Sequence, residues 1–218
     1  MNEMKFRPVG VIFDMDGLML ETEKPMIPCF IKAGKLVGYD INSEMAIRTI
    51  GNSKDSIQRM LIEEYGNSFP IDDFQREMSR LTTEAFENGI DLKPGLLPLL
   101  DFFSGKGIPM TVATSTNRKR AIWKLQIAGI LDRFTAIVTR DDVPNGKPAP
   151  DIFLKAAEEM GVSAGDCIGF EDSPSGLKGL HAAGIRSIFI KDVVEPPAEV
   201  LSLVWQQLRN LEEAIELF

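Results

Sequence analysis

Apolar residues form short runs in some parts of the chain and follow helical spacing in others. Residues 9–13 are a short apolar run that ends at Asp14, which predicts a buried strand stopping at a polar site. Beyond about residue 93, strand and helix patterns alternate. The expected helices are 96–103, 119–128, 151–160 and 175–183, and the expected strands are 109–113, 136–138, 167–170 and 187–190. This alternation indicates a parallel sheet covered on both faces.

The stretch between these two parts has a different pattern. From about residue 21 to residue 88, apolar residues recur at helical spacing, as at Ile57, Met60, Leu61 and Tyr65. We therefore expect an α/β fold with a doubly wound, Rossmann-like parallel-sheet core, formed by residues 1–18 and 92–218. An all-helical cap domain, residues 19–91, is expected to be inserted into that core.

The last stretch, residues 199–218, places Leu208, Leu211 and Ile215 at helical spacing. We expect it to pack against the core and to carry no chemistry.

The bulk composition narrows the class of protein. The chain has 218 residues, of which 44% are hydrophobic and 26% charged, enough to bury a sizeable core. Its formal net charge is -8, which argues against nucleic acid or an anionic membrane as a partner. An acidic protein that binds phosphate must therefore build positive charge locally.

Two further features suggest a cytoplasmic location. Cys29 and Cys167 are far apart in apolar surroundings, which favours free buried thiols over a disulfide. The apolar run near the N-terminus is too short for a signal peptide or a membrane span. No long apolar seam is visible, so we expect a monomer.

Polar residues follow four of the predicted strands. These segments are Asp14-Met15-Asp16-Gly17, Thr114-Ser115-Thr116-Asn117, Gly146-Lys147-Pro148 and Glu171-Asp172. The carboxyl ends of parallel strands meet at one edge of a sheet, where ligands bind. Carboxylates, a hydroxyl and a lysine at one point suit phosphoryl transfer by an acidic nucleophile beside a hard cation.

The four segments also resemble a known family. FDMDG, VATST, GKPAPDIF and GFEDSPSG are similar, in order and spacing, to the four motifs of haloacid dehalogenase-like phosphatases. The similarity is greatest to the β-phosphoglucomutase-like subgroup with a helical cap, and it covers nearly the whole chain.

The resemblance implies a role for each motif residue. Asp14 would be the nucleophile that forms an aspartyl-phosphate, and Asp16 would protonate the leaving alcohol and deprotonate the attacking water. Thr114 and the backbone N–H of Ser115 would bind the phosphoryl group, although a helix N-cap role stays open for Thr114. Lys147 would offset the charge of the nucleophile and phosphate. Gly17 would permit the sharp exit of the chain toward the cap.

The same resemblance implies a magnesium site. Asp172 would be a ligand, with Glu171 a direct or water-mediated partner, and Asp14 and the Asp16 backbone carbonyl would complete the set. Several acidic groups around one point need a divalent cation, and oxygen-only ligands favour Mg²⁺ over zinc.

Departures from the family patterns bear on the reaction. Asp16 argues against dehalogenases and phosphonatases, which generally lack that aspartate. Sugar phosphomutases of the subgroup remain an alternative, but they carry a cap-helix histidine where this chain has Met26 or a neighbour, and a cap-loop arginine near Lys54. A non-catalytic phosphometabolite-binding protein is a second alternative, yet no motif is broken. His181, the one histidine, is expected to face solvent or pack.

The cap is expected to select the substrate. Lys24, Asn52, Ser53 and Lys54 are candidates for contacting the leaving group, with solvated helix ends as the other interpretation. A closing cap favours small sugar, polyol or nucleoside phosphates. Arg118 lies near the phosphate-binding motif in sequence and is also of interest.

Overall fold

A computed structural model describes residues 6–52 and 54–218 of the protein. In this part of the chain, six strands form one sheet in the order β3-β2-β1-β4-β5-β6, with every neighbouring pair parallel. The strands are Gly10–Phe13 (β1), Met110–Thr114 (β2), Ala136–Thr139 (β3), Cys167–Glu171 (β4), Arg186–Ile190 (β5) and Gln206–Leu208 (β6). The doubly wound parallel sheet expected from the sequence is confirmed.

The helices fall into two groups. Between β1 and β2 the chain first forms Glu23–Leu36 (α1), Ser43–Arg48 (α2), Lys54–Tyr65 (α3) and Ile71–Ala85 (α4). The helices that follow are Leu96–Gly105 (α5), Arg118–Ile127 (α6), Asp151–Glu159 (α7), Pro174–Ala182 (α8) and Ala198–Leu201 (α9). Short 3₁₀ turns occur at Leu131–Arg133, Arg140–Asp142, Ala164–Asp166 and Glu212–Leu217.

The sheet is buried on both faces because alternate residues of each strand point to opposite sides. In β1, Val11 and Phe13 pack with α5 and α6 residues such as Phe103 and Leu125. Ile12 points the other way, into a second cluster that contains Phe153 of α7. This placement holds the end of β1 rigidly between two helix layers.

Helices α1 to α4 bury an apolar cluster of their own. Phe30, Leu61 and Phe74 are at its centre, and the rings of Phe30 and Phe74 meet edge to face at 4.9 Å between centroids. The Asn42 side chain caps α2 by accepting a hydrogen bond from the Met45 N–H. The exact domain boundaries, after residues 18 and 91, stay a prediction.

The C-terminal stretch differs in part from expectation. The stretch begins in the short helix α9, residues 206–208 form a parallel edge strand beside β5, and Glu212–Leu217 forms a 3₁₀ turn. Periodicity alone cannot separate so short a strand from a helix. The stretch does pack on the core, since Leu211 and Ala214 are fully buried.

Three smaller features concern the cysteines, the histidine and the length of the helices. Cys29 and Cys167 are both free and buried, as predicted, and His181 is exposed. None of the helices in the described residues is long and apolar enough to cross a membrane.

Candidate active site

A cavity of about 720 Å³ lies where the carboxyl ends of the strands face helices α1 to α4. Strand β1 lies in the middle of the sheet, with β2 on one side and β4 on the other. The chain crosses to opposite sides of β1, so the carboxyl end of β1 opens into a crevice. Asp14, Asp16, Thr114, Lys147 and Asp172 all line this cavity. The structure thus brings together the motif residues from four strand ends.

The turn after β1 brings Asp14 and Gly17 close to Asp172. The Asp14 N–H donates to the Phe170 carbonyl across the sheet at 3.0 Å, which fixes the strand end. Gly17 has a φ of 82°, and a Cβ there would lie 2.3 Å from Asp172 Oδ2. The sharp turn and the close approach both require glycine, as the sequence predicted.

Lys147 ties the nucleophile candidate to the fourth motif. Its ammonium group donates to Asp14 and, at 2.5 Å, to Glu171 Oε1, and all three side chains are buried. Burial lowers the pKa of Lys147, but the Asp14 and Glu171 charges outweigh burial and hold that pKa above its usual range. Lys147 therefore stays charged and supplies local positive charge in an acidic protein.

Glu171 is fixed by its neighbours. While Oε1 binds Lys147, Oε2 accepts hydrogen bonds from the Asp172 and Ser173 N–H groups, both at 2.8 Å. Ser173 Oγ adds a third at 3.0 Å. With both oxygens engaged, the carboxylate is oriented toward Lys147, and a water-mediated contact with a cation suits it better than a direct one.

Asp16 is held by three donors. Lys124 Nζ lies 2.5 Å and Thr22 Oγ1 2.8 Å from its Oδ1, and Thr116 Oγ1 lies 2.7 Å from its Oδ2. Burial raises the pKa of Asp16, but the Lys124 charge and these hydrogen bonds outweigh it and keep that pKa below its usual range. The carboxylate is therefore ionised and fixed in orientation.

The hydroxyl motif after β2 lies beside these groups. Thr114 is buried, and its Oγ1 accepts a hydrogen bond from the Thr116 N–H at 3.1 Å. Asn117 caps α6 by accepting from the Arg120 N–H at 3.0 Å. Thr114 is therefore not the helix cap, and its hydroxyl and Ser115 both line the cavity.

The acidic residues form a site that fits a divalent cation. Oxygens of Asp14, Glu171 and Asp172 all lie within 4.8 Å of one another. The buried Oδ1 of Asp172 has no hydrogen-bond partner among the residues that the structure describes. Burial, and then the charges of Glu171 and Asp14, raise the pKa of Asp172 well above its usual range. One lysine cannot balance three buried carboxylates, so this oxygen cluster matches a hard cation.

A model of the haloacid dehalogenase-like hydrolases matches residues 11–190, most of the chain. The chain belongs to this family. The resemblance seen in the four motifs is thereby confirmed, and a β-phosphoglucomutase structure among the relatives below confirms the subgroup.

Curated and solved relatives of this haloacid dehalogenase-like hydrolase agree with that assignment. It is 34% identical to fructose-1-phosphate phosphatase YqaB of Escherichia coli, over 85% of this chain and 97% of that protein. It is 28% identical to a phosphorylated carbohydrates phosphatase of Thermotoga maritima, over 83% of each. A β-phosphoglucomutase crystal structure from Clostridium difficile superposes with a TM-score of 0.78 at 25% identity, covering 95% of this chain and 93% of that one.

The cap-side candidates of the hydrolase fall into three groups. Asn52 and Lys54 are exposed and line the cavity, and their contact with substrate stays a prediction. Ser53 lies outside the described residues. The prediction that Lys24 contacts the leaving group is wrong, because its side chain is exposed, donates to Glu21 and does not line the cavity.

The expectation that Arg118 lies near the phosphate-binding motif is also corrected. Its guanidinium pairs with Asp142 at 2.7 Å, away from the cavity, and Arg120 lines the cavity instead. The reason is helical geometry: α6 starts at residue 118, and the residue two positions on points to another face.

Sequence reasoning missed Lys124, Arg120 and Glu23, all of which line the cavity of this haloacid dehalogenase-like hydrolase. A signal was present for two of them. Asn117, Arg120 and Lys124 follow each other at helical spacing, so they form one polar stripe that starts at the hydroxyl motif. Glu23, by contrast, looks like an ordinary acidic residue in the first turn of a helix.

Proposed function

We propose that this phosphoric monoester hydrolase releases phosphate from a small sugar, polyol or nucleoside phosphate, with Mg²⁺ and through an aspartyl-phosphate on Asp14. The observation that carries the proposal is the convergence of Asp14, Asp16, Thr114, Lys147 and Asp172 on one cavity.

In the first half of the reaction, a carboxylate oxygen of Asp14 attacks phosphorus. The bond from phosphorus to the ester oxygen breaks. Asp16, which is ionised before substrate binds, takes up a proton as the phosphate ester binds and gives that proton to the leaving alcohol. Lys147 neutralises Asp14 in the resting site, and the Thr114 hydroxyl with the Ser115 N–H binds the equatorial oxygens.

In the second half, water attacks the phosphoryl group and releases Asp14. Asp16 takes the proton from that water, so its carboxyl is unchanged over one turnover. The hydrogen bonds from Lys124, Thr22 and Thr116 fix the orientation of Asp16 for both proton transfers.

The metal site is formed by the acidic cluster. Asp14, Asp172 and the Asp16 carbonyl would hold Mg²⁺, with Glu171 linked through water, and the bound ion would supply positive charge for the transferring phosphoryl oxygens. The unpartnered oxygen of Asp172 supports this assignment.

The leaving group is expected to occupy the cap side of the cavity. Asn52 and Lys54 lie there with apolar side chains such as Met26, and Ser53 between them is also a candidate. Hydroxyl-bearing alcohols suit this mixture of polar and apolar walls. The names of the relatives, which include fructose-1-phosphate phosphatase, support small phosphorylated carbohydrates.

The phosphomutase alternative is less favoured. The similarity to β-phosphoglucomutase supports it, but Met26 lines the cavity on α1, and a thioether cannot move a proton. A non-catalytic binding protein is disfavoured because all four motifs meet in the site. We further propose that the protein is a cytoplasmic monomer. The two free buried thiols support the cytoplasmic location.

The decisive experiment is phosphate release from a panel of small phosphate esters, in Mg²⁺ and in EDTA, by the wild type and Asp14→Asn. The proposal requires metal-dependent release that the substitution abolishes. Conversion of β-glucose 1-phosphate to glucose 6-phosphate without phosphate release would support the mutase instead, and inactivity in both assays would support a binding protein.

A further inference from the structure

Glu23 is a carboxylic residue in the cavity that the proposed mechanism does not use. It is the first residue of α1, only 9% of its surface is exposed, and it lines the cavity. No hydrogen bond or ion pair of this side chain is found within the described part of the chain. Buried polar groups nearly always have partners, so an unpartnered one that faces a binding cavity calls for a ligand.

The charged groups around Glu23 are already matched with one another. The four that act on it are Asp16, Lys124, Asp192 and Lys93. Lys124 donates to Asp16 and Lys93 donates to Asp192, each at 2.5 Å. Neither of these two lysines is therefore left to pair with Glu23, and their positive charges disfavour a cationic ligand there.

The state of the carboxyl group indicates what it can bind. Burial, followed by the charge of Asp16, raises the pKa of Glu23 to about 7, so near neutral pH both protonation states are populated. The ionised form accepts hydrogen bonds and the protonated form also donates one. An alcohol hydroxyl both donates and accepts hydrogen bonds, so it can satisfy either form.

We propose that Glu23 binds a hydroxyl group of the leaving alcohol, so that the preferred substrates are phosphate esters of polyols and sugars and not of simple alcohols. The inference rests on the proposed function, since it assigns Glu23 to the leaving-group part of the same cavity. Met26, one turn further along α1, also lines the cavity.

The test compares substrates that differ only in hydroxyl groups. The pairs are glycerol 3-phosphate with propyl phosphate and erythritol 4-phosphate with butyl phosphate, and p-nitrophenyl phosphate reports on the phosphatase reaction itself. The enzymes are the wild type, Glu23→Gln, Glu23→Met and the control Glu21→Gln. Glu21 lies two residues away, is paired with Lys24 and Lys93, and does not line the cavity.

The wild type is expected to prefer the hydroxylated member of a pair by about tenfold in kcat/KM, the size of one good hydrogen bond. Glu23→Met removes this preference, and Glu23→Gln, whose amide can still bind a hydroxyl, retains most of it. Glu21→Gln behaves like the wild type on every substrate, and the Glu23 variants lose less on p-nitrophenyl phosphate than on the polyol esters. Urea unfolding of each variant confirms that it is folded.

Three results would overturn the proposal: no wild-type preference in either pair, an equal loss on every substrate including p-nitrophenyl phosphate, or a larger loss on phosphoethanolamine than on the polyol esters. The last would assign Glu23 to an ammonium group. Absence of p-nitrophenyl phosphate hydrolysis in the wild type would instead refute the proposed function, and this inference with it.

Discussion

The contact between Lys124 and Asp16 offers a direct test of how the site is built. Lys124 is buried in α6, and its ammonium group lies 2.5 Å from Asp16 Oδ1. Lys124→Met keeps the length and apolar stem of the side chain but removes the charge. We predict that this variant loses stability and, separately, that it slows the proton transfers assigned to Asp16.

The loss of stability can be bounded from the contacts. Removing one partner of a buried ion pair costs about 3–5 kcal/mol when the other charge is left without partners. Asp16 retains the hydroxyls of Thr22 and Thr116, and its side chain is 17% exposed. We therefore expect a decrease of about 2–3 kcal/mol in the free energy of unfolding, below that range because the carboxylate stays partly satisfied.

The kinetic effect should depend on the leaving group. A general acid or base contributes about 10²–10⁴-fold, and a displaced Asp16 should lose about 10- to 100-fold of that. p-Nitrophenolate needs no proton to leave, so Asp14 is still phosphorylated quickly and only the hydrolysis of the aspartyl-phosphate slows. Rapid-quench experiments on Lys124→Met should show a burst of one p-nitrophenol per enzyme, and no burst of alcohol from glycerol 3-phosphate.

The control is Lys119→Met, on the same helix at an exposed position. It should match the wild type in urea unfolding and in both assays. The reasoning would be refuted if Lys124→Met unfolded at the wild-type urea concentration, or if it slowed both substrates equally without a burst.

Three further predictions follow from the site. A Cβ at Gly176 would lie 1.7 Å from Glu171 Oε1, so Gly176→Ala should lower the free energy of unfolding by about 3 kcal/mol in urea titrations, and a wild-type midpoint would contradict this. Asp172→Asn relieves repulsion in the acidic cluster, so it should raise the melting temperature in EDTA. It should also abolish the increase in melting temperature that Mg²⁺ causes in the wild type. If Mg²⁺ still raised the melting temperature of the variant, the ion would bind elsewhere. The pKa of Glu23 is raised from 4.5 to about 7, so its contribution to the free energy of unfolding is complete below pH 4.5 and is lost as the pH rises to 7. The loss is at most about 3 kcal/mol. Glu23→Gln should remove this loss, and the idea is wrong if the wild type and the variant lose stability in parallel as the pH rises.

The sequence was most informative where chemistry follows a buried strand. The motifs at Asp14, Thr114 and Asp172 each come directly after an apolar run, and the carboxyl edge of a parallel sheet brings such residues together whatever the details of packing. The position of Lys147 beside Asp14 agrees with that expectation. Local pattern and topology were sufficient here.

Residues that act from helices were harder to predict. Lys124 reaches Asp16 from more than one hundred positions away, and its burial depends on how α6 lies against the sheet. Arg118 was singled out because of its sequence distance from Thr114, whereas the face of the helix decides which side chain enters the cavity. Strand β6 is three residues long and pairs with one neighbour, so its pattern carries little information.

The two chain segments that connect α1–α4 to the sheet are hydrogen-bonded to each other. Leu20 pairs with Leu92, and the Glu21 and Lys93 N–H groups donate to the carbonyls of Asp91 and Met19. The inserted segment therefore leaves and returns at neighbouring points, and its ends are held together whatever lies between them. Replacing the inserted segment therefore adds no loop-closure entropy to the folding of the sheet. Such an arrangement lets evolution, or an engineer, graft a different set of helices onto an unchanged catalytic base, and so exchange substrate preference as a single module.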